Sequence, residues 1–81
     1  MIRTLVKTAN VAVENRNYQV RYFELRTPRG HRRYSAEIML APGDRIILDD
    51  DSVNNLEARA TRLVPATLYS RVLAGRRATA A

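Results

Sequence analysis

Hydrophobic and polar residues largely alternate along residues 18–27 (YQVRYFELRT) and 31–40 (HRRYSAEIML), two stretches rich in aromatic and β-branched residues. The segment between them is short and contains proline and glycine. Alternating runs on either side of such a segment are typical of a β-hairpin. We therefore predict two antiparallel strands in the middle of the chain.

The residues of the turn predict how these two strands pair. Residues 27–30 (TPRG) suit a type I turn, because Pro28 has the φ of its second position and Gly30 can adopt the left-handed conformation of a G1 bulge. Thr27 then lies opposite His31. The same register pairs Tyr22 with Ala36, Val20 with Ile38 and Tyr18 with Leu40 on one face, and Arg21 with Glu37 on the other. A slip of one residue would place Arg21 against Ile38, which argues against it.

The second face of this hairpin is only partly polar. It combines Phe23, Leu25 and Met39 with Gln19, Arg21, Arg33, Ser35 and Glu37. We expect another part of the molecule to cover some of its apolar side chains.

Residues 41–44 (APGD) predict a type II turn, with Pro42 at its second position and Gly43 at its third. The chain then continues into a strand over residues 45–48, where Ile46, Ile47 and Leu48 are apolar without alternation. An unbroken apolar run indicates a strand covered on both faces, so we predict an interior position in the sheet.

The strongest helical signal lies in residues 49–65 (DDDSVNNLEARATRLVP). Apolar residues recur there at the spacing of one helical stripe: Val53, Leu56, Ala60, Leu63 and Val64. Ser52 suits the N-cap, as does Asn54 with Glu57 as its capping-box partner. Pro65 is expected to end or kink this helix.

A second short helix is predicted after Pro65. Its apolar side contains Leu68, Tyr69, Val72 and Leu73. Gly75 suits the position directly after its end. Residues 76–81 (RRATAA) lack apolar anchors, so we predict a disordered basic C-terminal tail after a single domain of residues 1–75.

Residues 2–13 are compatible with two structures. Ile2, Leu5, Val6, Ala9 and Val13 have helical spacing, whereas the threonines and the alternating valines favour a strand. We predict a strand, with a turn at residues 14–17 (ENRN). The fold class is then α+β: a small antiparallel four-stranded meander sheet followed by a C-terminal helix pair packed on one face.

The composition excludes several classes of protein. The 81 residues allow one thin core, and the absence of cysteine excludes a disulfide framework and a thiolate metal site. Lys7 and Asn10 interrupt the N-terminal apolar stretch, so no signal peptide is predicted. No run approaches the roughly 20 apolar residues of a membrane span. We expect a folded cytoplasmic protein without a membrane partner.

Nothing in the sequence indicates catalysis. His31 is the only histidine, and no cysteine or glycine-rich phosphate loop accompanies it, so a catalytic triad or a histidine-based metal site is not predicted. Residues 49–51 (DDD) lack the alternating ligands of a calcium loop and instead suit the positive end of the following helix. We predict no catalytic residue, metal, cofactor or small-molecule substrate.

The net charge of +6 is concentrated at the tip of the predicted hairpin, since residues 26–33 contain four arginines and no acidic residue. Concentrated positive charge favours phosphate contact. The candidates for this contact are Arg26, Arg29, Arg32 and Arg33. Arg21 and Phe23 would form a supporting face, because basic side chains beside an aromatic ring often hold single-stranded nucleic acid. A basic turn that contacts only solvent would have the same sequence.

Two functions remain open at this point. The first is a small non-catalytic module that binds nucleic acid, DNA or RNA, or another polyanion through the Arg-rich tip. The second is a protein-interaction or self-assembly module without a nucleic-acid role, which acts through the two edges of the open sheet. A core this thin often needs a partner, and an oligomer that binds nucleic acid would satisfy both.

Overall fold

The computed structural model describes residues 2–79, and the side chains of residues 2–75. Four strands, β1 (Ile2–Val13), β2 (Arg16–Arg26), β3 (Arg32–Ala41) and β4 (Asp44–Asp50), are followed by one helix, α1 (Val53–Thr79). The strands form an antiparallel sheet in the order β1-β2-β3-β4. The α+β class, the four-stranded meander and the assignment of residues 2–13 to a strand are confirmed.

The turn between β2 and β3 has the predicted geometry. The amide of Gly30 donates to the carbonyl of Thr27 at 2.9 Å, and the amide of Thr27 donates to the carbonyl of His31 at 3.1 Å. Gly30 has a φ of 81°, the left-handed value that a G1 bulge requires. Arg21 accordingly lies opposite Glu37, as the predicted register requires.

The other two turns also contain a residue with positive φ. Gly43 has a φ of 75°, as expected for the third position of a type II turn, and it lies between the paired residues Ala41 and Asp44. The β1–β2 turn consists of Glu14 and Asn15, and Glu14 adopts a φ of 55°. A side chain with a Cβ is strained in this conformation.

The core lies between α1 and one face of the sheet. It consists of seven buried hydrophobic residues: Val20, Tyr22, Ala36, Ile38, Leu56, Ala60 and Val64. The strand residues are even-numbered and share one face, whereas the helix residues recur every four positions. Burial raises the pKa of the Tyr22 phenol, and the nearby carboxylate of Glu57 adds to this effect.

Ser52 is the N-cap of α1, as one of the two predicted alternatives required. Its Oγ accepts a hydrogen bond from the amide of Asn55 at 3.3 Å, and its carbonyl accepts one from Leu56 at 3.1 Å. Asp50 stabilises the same turn, because its Oδ1 accepts from the amides of Asp51 and Ser52. Hydrogen bonds from the Asn55 side chain, the two amides and Arg59 hold the pKa of the Asp50 carboxyl below its usual value.

The predicted helix pair is wrong, because α1 is one continuous helix with Pro65 inside it. Proline removes one backbone hydrogen bond, here to the carbonyl of Thr61, but both residues are exposed and water can reach that carbonyl. The helix packs on the sheet on both sides of the proline. Leu56 lies in the core before it and Leu68 packs against the core after it, and Arg71 Nη2 contacts Asp44 Oδ1 at 2.9 Å. Tertiary packing therefore outweighs the local cost.

The helix also continues through Gly75, which was predicted to follow its end, and reaches Thr79. The side chains of residues 76–79 and the whole of residues 80–81 lie outside the described part of the chain, so the disordered tail stays a prediction. No helix within residues 2–79 is both long and apolar enough to cross a membrane.

The predicted interior position of the fourth strand is wrong. β4 forms one edge of the sheet and β1 forms the other. Ile46 and Leu48 face α1 and are partly buried, whereas Ile47 faces away from it and is 54% exposed. A single exposed isoleucine is ordinary in a folded protein, so an unbroken run of three apolar residues did not require cover on both faces.

Candidate nucleic-acid interface

The four arginines of the hairpin tip do not form one free positive cluster. Arg26 and Arg32 lie directly opposite each other in the β2–β3 pairing, where like charges repel. Glu24 lies beside both, with its Oε1 3.4 Å from Arg26 Nε and 3.7 Å from Arg32 Nε. One carboxylate therefore compensates part of this pair's charge.

Arg33 also has an acidic partner, since its Nη1 contacts Oδ1 of Asp51. The β3–β4 pairing brings Asp51 to this end of the sheet. Arg29 is exposed in the turn and forms no ion pair with the side chains of residues 2–75. The four guanidiniums thus share the tip with two carboxylates, which leaves two positive charges instead of four.

His31 is exposed, and its amide donates to Oγ1 of Thr27 at 3.2 Å. The contact stabilises the turn. No group of three or more potential metal-ligating side chains occurs in the described residues.

Phe23 lies on the face of the sheet that points away from α1, here called the outer face. Its ring is half-buried, and the guanidinium carbon of Arg3 lies 3.6 Å from the ring centroid, a cation–π contact. We expected part of the molecule to cover the apolar side chains of this face, and at Phe23 the side chain of Arg3 from β1 does so. The ring is not part of the helix-side core.

A second interaction on the outer face involves Glu37, whose side chain is only 9% exposed. Its Oε2 accepts a hydrogen bond from Arg3 Nη2 at 3.0 Å and lies 3.5 Å from Arg45 Nη1. Arg21 lies opposite Glu37 in the strand pairing, is exposed, and has no ion pair with any described side chain.

The outer face thus brings together arginines from all four strands: Arg3, Arg21, Arg33 and Arg45. Of the five arginines predicted together with Phe23, Arg21 and Arg33 belong to this set. The tip residues Arg26 and Arg32 point to the other face. Sequence reasoning missed Arg3 and Arg45. The turn alone was not sufficient to place Arg45, because the β3–β4 pairing shifts by one residue between Met39 and Ala41. Without this shift Arg45 would lie opposite Leu40 and on the helix side, whereas it lies opposite Met39.

Arg3 could not be placed from its turn either. The β1–β2 pairing shifts by one residue between Leu5 and Lys7, which indicates a β-bulge at Val6. Without the shift Arg3 would lie opposite Arg26 and on the helix side of the sheet, whereas it lies opposite Leu25.

Comparisons with protein-family models, with curated proteins and with solved structures found no match to this chain.

Proposed function

We propose that this chain is a small non-catalytic module that binds single-stranded nucleic acid through the outer face of the sheet and the adjoining hairpin tip. The observation that carries the proposal is the composition of the outer face. Among residues 2–79 no helix covers this face. It presents the ring of Phe23 and four arginines, while the carboxylate of Glu37 is buried beneath two of them.

The two kinds of group on this face suit the two parts of a nucleotide. Guanidiniums bind phosphates, and Arg21 and Arg29 are available for this because no described carboxylate occupies them. Bases stack on aromatic rings and on the planar guanidinium of arginine. The stacked pair of Arg3 and Phe23 offers such a platform, with Arg3 as its outer layer.

The test is fluorescence anisotropy with a labelled 12-nucleotide oligothymidine, at salt concentrations from about 50 to about 200 mM. If four guanidiniums contact phosphates, the affinity should fall about 50-fold across this range, because each contact contributes about 0.7 to the slope for a single strand. Changing Arg21 and Arg29 together to glutamine should remove about half of this slope, because two of the four contacts are lost.

Single substitutions give a matched comparison. Arg21→Gln, Arg29→Gln and the control Arg62→Gln each remove one exposed charge and no ion pair of the described side chains. The first two should each reduce the slope by about 0.7, whereas Arg62→Gln on the helix should not. Absence of binding at 50 mM salt, or equal slopes for all three variants, would contradict the proposal.

A second candidate function, self-assembly through a sheet edge, is favoured by the features of β1. This edge strand has 12 residues, and Ile2, Leu5 and Val6 are exposed along it. The bulge at Val6 and the charge of Lys7 oppose pairing in its first half, but residues 8–13 (TANVAV) contain no charge. An antiparallel pairing of this second half with another copy would extend the sheet across both molecules.

Sedimentation velocity at low and high salt tests this candidate. Asn10→Lys places a charge on the uncharged half of β1, where two copies would face each other, and Ser70→Lys adds the same charge to the exposed side of α1. A dimer that is lost in the Asn10 variant and kept in the Ser70 variant supports edge pairing. A monomeric wild-type protein at high concentration rules it out.

A further inference from the structure

Glu37 is the only charged side chain that is buried within residues 2–75, and it lies on the face that no helix covers. Burial of a carboxylate is unfavourable unless charged partners and hydrogen bonds compensate it. The partners here come from the two edge strands, Arg3 from β1 and Arg45 from β4, and both contact the same oxygen, Oε2. One buried carboxylate on β3 therefore holds the ends of two arginines that originate on opposite edges of the sheet.

Arg3 and Arg45 contact Glu37 and still have N–H donors available for a ligand. Their side chains remain 48% and 58% exposed, although one nitrogen of each is close to Glu37. A guanidinium has five N–H donors, so most of them remain free on the outer face. Because both contact one oxygen, their nitrogens lie close enough for a single tetrahedral oxyanion to bond to both.

Arg21 completes the arrangement. It lies directly opposite Glu37 on the same face, and cross-strand partners have Cβ atoms about 5 Å apart. Together Arg3, Arg21, Arg45 and Glu37 carry a net charge of +2, which matches the charge of a phosphate monoester. The stacking of Arg3 on Phe23 restricts its side chain further, and restriction before binding lowers the entropic cost of binding.

We propose that Arg3, Arg21 and Arg45 form a binding site for one phosphate group, and that Glu37 is the positioning residue that holds Arg3 and Arg45 in place. The ligand class rests on the proposed function, since the phosphate would be that of a nucleotide. The site itself requires only the phosphate, so it is testable without a nucleic acid.

The probes are inorganic phosphate and thymidine 5′-monophosphate, with chloride at equal ionic strength as the control anion. Arginine Nε–Hε resonances are followed by ¹⁵N-resolved NMR and assigned from the variants. We expect saturable shifts at Arg3, Arg21 and Arg45 with both phosphate probes and none with chloride. Arg45→Gln should weaken phosphate binding about tenfold, the effect of losing one charge-assisted contact, and Arg62→Gln should leave it unchanged.

Glu37→Gln distinguishes a positioned site from a simple positive patch by the sign of its effect. The substitution removes a negative charge, so a patch that attracts phosphate by charge alone would bind it more tightly. If the carboxylate positions the two arginines, phosphate binding should weaken about fivefold, although the net charge of the site becomes more positive. If the Glu37 variant does not fold, Arg45→Gln and Arg62→Gln are compared, because each removes one positive charge and only the loss of Arg45 should weaken phosphate binding at a local site. Arg45→Gln is expected to fold, since Arg45 is more than half exposed and Glu37 keeps its contact with Arg3.

Three results would overturn the proposal. The first is that the resonances of Arg3, Arg21 and Arg45 shift linearly with phosphate concentration and by the same amount as that of Arg62. The others are tighter phosphate binding by a folded Glu37→Gln variant and a dimer that buries the outer face and blocks phosphate. The outcomes also separate the two proposals. Oligonucleotide binding that is insensitive to Arg45→Gln refutes the phosphate site and keeps the proposed function. Saturable phosphate binding without oligonucleotide binding refutes the proposed function and keeps the phosphate site.

Discussion

Replacing Pro65 by alanine should stabilise the protein, because α1 runs through this position without interruption. A proline in a helix interior costs about 3 kcal/mol relative to alanine, through the missing hydrogen bond and the clash with the carbonyl four residues earlier. Alanine also gives the unfolded chain more freedom, which offsets up to about 1 kcal/mol. The expected gain in the free energy of unfolding is therefore about 2 kcal/mol.

The sign of this change distinguishes one helix from two. If Pro65 were the first residue of a second helix, its fixed φ would suit that position, and alanine would be neutral or destabilising by up to about 1 kcal/mol. In the continuous helix the same substitution restores a hydrogen bond to the carbonyl of Thr61. Because Pro65 is exposed, no core contact is lost.

The measurement is urea unfolding followed by circular dichroism at 222 nm, together with thermal unfolding. A gain of about 2 kcal/mol corresponds to a rise of roughly 8–16 °C in Tm for a domain of this size. Ser70→Ala, at an exposed position of the same helix, is the control and should change stability by no more than about 0.5 kcal/mol. Unchanged or lower stability of the Pro65 variant, with Ser70→Ala behaving as expected, would refute the reasoning.

The same unfolding assays test three further predictions. Leu56→Ala should lower the free energy of unfolding by about 2–5 kcal/mol, since this side chain is fully buried. Leu73→Ala, at an exposed position of α1, should lower it by less than about 1 kcal/mol. Equal effects of the two substitutions would contradict a core on one side of the helix. Glu14→Gly should stabilise by about 1 kcal/mol by relieving the φ of 55°, and a loss of stability would show that the turn is not left-handed at this residue. The pKa of Asp50 is lowered from 3.8, so its contribution is fully present above that value and is lost as the pH falls through the lower folded-state pKa. Asp50→Asn should therefore flatten the acid limb of the stability profile, and an unchanged limb would show that this carboxylate does not stabilise the start of α1.

The β2–β3 hairpin was predictable from sequence because its pairing depends on neighbouring residues. The Pro-Gly turn favours one register, and a slip of one residue would place Arg21 against Ile38. The N-cap of α1 was predictable for the same reason, since Ser52 satisfies an amide only three residues later. The second helix was predicted wrongly because a local breaker, Pro65, was weighed without the packing on both sides of it.

The candidate site was less predictable than the fold. Counting charges over residues 26–33 gave a strongly positive tip, but the chain folds so that Glu24 and Asp51 reach these arginines. Glu24 lies only two residues before Arg26, just outside the counted stretch. The pair of Arg33 and Asp51 joins residues that are distant in sequence, so it depends on strand order and on which face each side chain occupies. Neither Arg3 nor Arg45 belongs to the basic stretch that composition singles out.

The sequence by itself determined the strands, their turns, the register of the central hairpin and the apolar stripe of α1, because these follow from steric preferences and periodicity within a few residues. Only the tertiary structure decided that α1 stays continuous past Pro65, since burial on both sides of the proline outweighs one missing hydrogen bond. It also decided the content of the outer face. The bulge at Val6 reverses the direction of the residues before it, and this reversal, which no local pattern specifies, brings Arg3 to Phe23 and Glu37.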